Sequence, residues 1–91
     1  MSVDSHTEAM TPALVRAARA ILNWSANDLA TRSGVSRSTV QAYETGISAK
    51  RSRGMNNASK AALARTIYEA GVEFVGGDAP GVIVRRPELL E

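Results

Sequence analysis

The chain has 91 residues, 11 of them basic and 9 acidic, with 44% hydrophobic and 22% charged positions. That length suits one small domain, and the balance is that of a folded chain and not of a disordered one. Cysteine is absent, which excludes disulfides, thiolate metal sites and cysteine nucleophiles. No apolar run approaches the ~18 residues of a membrane span, and the N-terminus lacks the basic-then-apolar pattern of a signal peptide. A soluble, cytoplasmic protein with no membrane partner is therefore expected.

The net charge of +2 hides a division along the chain. Between Arg16 and Arg65 there are nine basic residues against two acids, Asp28 and Glu44, whereas the remainder holds two basic residues, Arg85 and Arg86, against seven acids. A basic middle between acidic ends fits a phosphate backbone as partner, and it fits equally a solvated helical surface.

Residues 1–10 are polar and aperiodic and are expected to form a flexible arm. Thr11 and Pro12 open the first helix, Thr as cap and Pro at a position whose N–H has no helical partner. Leu14, Ala17, Ala18, Ile21 and Leu22 give that helix one apolar face to about Asn23. Ser25 caps a second, shorter helix, with Asp28 completing a capping box, and Ser33-Gly34 ends it. Val35 precedes a new cap at Ser36, and a third helix runs from Arg37 to Thr45, closed by Gly46, with Val40 and Tyr43 inward. Residues 47–55 read as a basic loop. Asn56 or Asn57 caps a fourth helix, whose apolar positions end before Gly71. The period then falls to two: Val72 and Phe74, then Val82 and Val84, flank a turn at 76–81 and predict a β-hairpin. The tail, 87–91, has no clear pattern.

The expected fold is mainly α, four short helices followed by a C-terminal β-hairpin. The domain organisation is an arm (1–10), a helical domain (11–71), the hairpin (72–86) and a tail (87–91).

The informative stretch runs from Ser25 to Gly46. Two short helices joined by Ser33-Gly34-Val35 form a helix-turn-helix pattern. Ala30 is small where the helices must approach, Gly34 supplies the turn's left-handed backbone, and Val40 packs inward. Over roughly residues 13–71, and most sharply in RAARAILNWSANDLATRSGVSRSTVQAYETG, the sequence resembles the phage-repressor-like (Cro/XRE-type) helix-turn-helix DNA-binding proteins. The closing AGVEFVGGDAPGVIVRR is similar to the tail of a subgroup of small bacterial members.

The resemblance implies a lambda-repressor-like fold and a third helix that enters the major groove of double-stranded DNA. On that basis Arg37 and Ser38 occupy the main base-reading positions, with Thr39, Gln41 and Ala42 contributing. Arg16, Asn27, Ser36 and Asn56 are candidate phosphate contacts, together with Lys50, Arg51 and Arg53 of the basic loop. The resemblance also implies a structural ion pair between Arg19 and Glu44. Two departures stand out. Ala26 replaces the glutamine usual at the first position of the motif's first helix, leaving Asn27 as its substitute, and the loop after Gly46 is longer and more basic than usual.

A transcriptional regulator, a repressor acting as a homodimer on an inverted-repeat operator, is the expected function, because one small module reads too few bases for strong specificity. Val72, Phe74, Val82 and Val84 are the candidate dimer residues, and the same face could instead pack within the chain. The alternative is a helix-turn-helix protein-interaction module, an anti-activator or partner subunit, that has lost DNA binding. No enzyme is expected: Ser36, Ser38 and Thr39 have no local base, and Gly76-Gly77 reads as a turn and not as a phosphate loop. No cofactor or metal is expected either, His6 standing alone in the arm.

Overall fold

In a computed structural model, residues 3–46 and 56–91 are described. Helix α1 spans Val3–Ala9, α2 Pro12–Leu22, α3 Ala26–Ser33, α4 Arg37–Thr45 and α5 Asn57–Ala70. Strands β1 (Val72–Val75) and β2 (Gly81–Val84) follow, then a 3-10 turn over Pro87–Leu90.

Each expected cap is formed. Thr11 accepts the Leu14 amide hydrogen, and Ser25 and Asp28 exchange bonds as a full capping box, both at 2.9 Å. Donation from the Ser25 amide, with a second contribution from its hydroxyl, holds the Asp28 carboxyl below its usual pKa. Ser36 caps α4 and Asn56 caps α5. Gly34 ends α3 with φ +79°, a left-handed conformation that disfavours a side chain, although the space beside it is open. Gly71 is constrained twice, by φ +113° and by Arg86, whose side-chain carbons would lie 2.9 Å from an added Cβ.

The hairpin is antiparallel, with Val72 opposite Val84 and Phe74 opposite Val82. Its loop is 76–80, one residue shorter than expected, because Gly81 already pairs with Val75. Val72 and Phe74 are fully buried, with Val15, Ala18, Leu29, Val40, Leu63, Ala64 and Ile67, in a single core. Against that core β1 packs on α1 and α5, β2 on α2, and α3 on both α4 and α5.

Three expectations are corrected. The arm is not free: Val3–Ala9 is a fifth helix among the described residues, packed on α5 and β1, with His6 completely buried. Nothing in its periodicity marks it as a helix, because its docking depends on bonds to distant backbone. The tail is ordered as a 3-10 turn, with Leu89 packed against the core. On the apolar face of the hairpin Val72 and Phe74 are buried within the chain and have no surface left for a second copy, while Val82 and Val84 are half-buried.

Truncation at the centre and at the edge should differ accordingly. Leu63→Ala, at a fully buried position, should cost about 2–5 kcal/mol. Leu90→Ala, at a side chain 67% exposed, should stay within about 0.5 kcal/mol. Urea unfolding monitored by circular dichroism measures both.

Candidate nucleic-acid interface

Helix α4 turns one edge to the core and the other to solvent. Val40, Tyr43 and Glu44 are buried, and Arg37, Ser38 and Gln41 are exposed. Gln41 lies four residues after Arg37 and three after Ser38, so it shares a helical face with each of them. Thr39 and Ala42 are half-buried along its flank. Burial also pushes the Tyr43 phenol up from its usual pKa, so it stays neutral in the core edge.

Locking of that buried edge comes from α2. Arg19 grips Glu44 through two bonds, Nε to Oε2 at 2.8 Å and Nη2 to Oε1 at 2.6 Å. Its remaining Nη1 donates to the Trp24 carbonyl at 3.1 Å. The carboxylate is only 6% exposed and the guanidinium side chain 21%, and the bonds to Glu44 raise the Arg19 pKa above its ordinary value. Arg16, one turn earlier, donates to the Glu44 backbone carbonyl. A cation at the last carbonyls of a helix meets both unfilled acceptors and the negative end of the helix dipole. The C-terminal turn of α4 is therefore held at two points by two arginines of one helix.

The start of α4 is tied to itself. Ser36 Oγ accepts the Thr39 amide hydrogen at 3.2 Å and donates to Thr39 Oγ1 at 2.7 Å, and it lies 3.4 Å from Ser38 Oγ. Two expected DNA contacts, Ser36 and Thr39, are thus occupied with one another. Asn27 is exposed near the start of α3. Asn56 is exposed and uses its Oδ1 to cap α5 through the Ser59 amide at 2.7 Å. Lys50, Arg51 and Arg53 lie outside the described residues. Val82 and Val84 are half-buried, unlike Val72 and Phe74, and Ile83 beside them is 45% exposed.

Two contacts were not visible in the sequence. Arg32 stacks over Trp24, its guanidinium carbon 4.6 Å from the ring centroid, so the side chain between α2 and α3 is covered by a cation. The sequence places Arg16 at phosphate, and although exposed it bonds to α4. Among the described residues no cluster of histidine and carboxylates could hold a metal, and no helix is long and apolar enough to cross a membrane.

The ion pair should be costly to break from one side. Arg19→Met leaves a buried carboxylate unpaired and should destabilise the domain by about 3–5 kcal/mol, whereas the double change Arg19→Met with Glu44→Leu should recover most of that loss. A double-mutant cycle by thermal unfolding reads the difference.

No curated protein matches the chain in sequence. A family profile described as helix-turn-helix matches residues 15–53, a segment that begins within α2 and takes in all of α3, the turn at Gly34 and α4. With the fold and the capped two-helix unit, this match shows that residues 15–53 form a helix-turn-helix of the Cro/XRE type, a type found in DNA-binding regulators.

Proposed function

We propose that the chain is a sequence-specific regulator of transcription, a repressor that binds an inverted-repeat operator as a dimer. The observation that carries this reading is the division of α4. One edge is pinned to α2 through Glu44, and the other presents Arg37, Ser38 and Gln41 to solvent. A helix held in that way can be inserted into a major groove at a fixed angle without its reading side chains being used for support.

In this reading Arg37 makes the bidentate contact to a guanine, Ser38 and Gln41 read neighbouring base edges, and Ala42 and the Thr39 methyl offer apolar touches to thymine. Thr39 and Ser36, joined through their hydroxyls, brace the start of the helix against the backbone. Phosphates are met by Asn27, Asn56 and the basic residues Lys50, Arg51 and Arg53. Arg16 reaches phosphate only with whatever donors its bond to Glu44 leaves over. Dimerisation falls to the outer edge of β2 and to Ile83, since Val72 and Phe74 are consumed inside the chain.

Selection of bound sequences from a random duplex pool, followed by titration of the winner against scrambled DNA at low and physiological salt, tests this. The expected result is an inverted repeat with half-sites about one helical turn apart. Sequence-blind binding that salt abolishes would sink the reading and favour a protein-interaction module. Arg37→Ala should lose about 1–3 kcal/mol of discrimination at one G·C position. Arg51→Ala should weaken binding to all sequences and reduce the salt slope by about one.

A further inference from the structure

We propose that His6 is an acid-released latch: its neutral imidazole fastens α1 across α5 and the outer edge of β1, and protonation frees α1 from the domain.

The geometry fixes the tautomer. Nδ1 lies 2.8 Å from the backbone nitrogen of Phe74, which can only donate, so Nδ1 is the bare acceptor. Nε2 lies 2.7 Å from the Ala64 carbonyl oxygen, which can only accept, so Nε2 carries the hydrogen. The ring thereby joins residues 58 and 68 positions away through backbone alone. It is fully buried, stacked on Phe74 with centroids 4.6 Å apart and planes 9° from parallel, and edge-on to Tyr68 at 5.1 Å.

The Phe74 amide is an edge group of the sheet. Gly71 accepts a bond from Arg85 across the hairpin, and in an antiparallel ladder bonded pairs alternate. Phe74, three residues on, therefore points its N–H away from β2. His6 covers what would otherwise be an open strand edge.

A second proton has nowhere to go. It would sit on Nδ1 and face the Phe74 N–H, donor against donor, and the bond to β1 would be lost. The charged groups around the ring pull in opposite directions: Glu73 of β1 favours the imidazolium, and Arg85, just after β2, disfavours it. From α5 the ring meets the uncharged Tyr68, itself under the Arg85 guanidinium at 4.3 Å, while Arg65 and Glu69 are exposed, as is Glu8 on α1 itself. Burial outweighs the Ala64 bond and Glu73, and it holds the imidazole below its ordinary pKa of 6.5.

A histidine whose pKa is lowered in the docked state supports docking fully above 6.5, the value it recovers when released. Docking then weakens as pH falls below that value, by up to about tenfold per pH unit, until the docked pKa is reached.

His6 is the only histidine in the chain, so nuclear magnetic resonance of the full chain reads it without ambiguity. At pH 7.5 the nitrogen shifts should report a bare Nδ1 and a protonated Nε2. Between about pH 6.5 and 5 the Phe74 amide should lose its exchange protection and the Thr7 and Glu8 resonances should move toward coil positions. The Val40 and Tyr43 amides should keep their protection throughout. In His6→Gln, which offers an acceptor and a donor but does not titrate, Phe74 protection should be the same at both ends of that range. Three results would overturn the latch: titration of His6 with Phe74 protection unchanged, loss of protection by all amides together, or the same acid-dependent loss in His6→Gln.

Discussion

Burying the Glu44 carboxylate at 6% exposure carries a desolvation cost that only a fixed, well-oriented cation offsets, and the placement of α4 rests on how that is done. Arg19 brings a planar fork that matches both carboxylate oxygens. Its last donor is tied to the Trp24 carbonyl, so the guanidinium is oriented before Glu44 arrives. Trp24 in turn is covered by Arg32 from α3. The three helices of the motif region are thus connected through one polar chain along the edge of an otherwise apolar core. An apolar pair of similar volume would pack as well, but it would not fix the rotation of α4 about its own axis, because apolar contacts are not directional.

That polar chain also keeps structural and exposed roles apart. Val40, Tyr43 and Glu44 are spaced by three and one along α4 and are all buried. Arg37 and Ser38 precede them, Gln41 falls between them, and all three are exposed. A change at an exposed position alters the chemistry offered to a partner without touching a core contact. The half-buried Thr39 and Ala42 belong to both sets and tolerate less change in size.

What the sequence made legible was local. The caps at Thr11, Ser25, Ser36 and Asn56, the left-handed stops at Gly34 and Gly71, the apolar rows of α2 and α5 and the alternation of the hairpin all depend on residues within about four positions of one another. Exposed and buried positions on α4 follow from the helical period once Val40 and Tyr43 are set inward. The contacts that escaped are long-range bonds to backbone. Arg16 meets the Glu44 carbonyl 28 positions away, and His6 meets Ala64 and Phe74 at 58 and 68. A carbonyl or an amide has no side-chain signature, so no pattern of residue types announces it. The same holds for α1, whose seven residues are too few to be stable alone and whose helix exists because something distant receives it.

Helix α5 is where these two systems meet. It packs against α3 of the helix-turn-helix and against α1 and β1, and Ala64, the residue bonded to His6, is flanked in the core by Leu63 and Ile67. Phe74, stacked on the imidazole, belongs to that same core. The core beneath the helix-turn-helix is consequently closed on its far side by a seven-residue helix held through one neutral ring. The bonds that set α4, from Arg16 and Arg19 to Glu44, involve no residue of that helix, so its release opens the far side of the core and leaves α4 in place. The N-terminal segment is best understood as the last wall of that core.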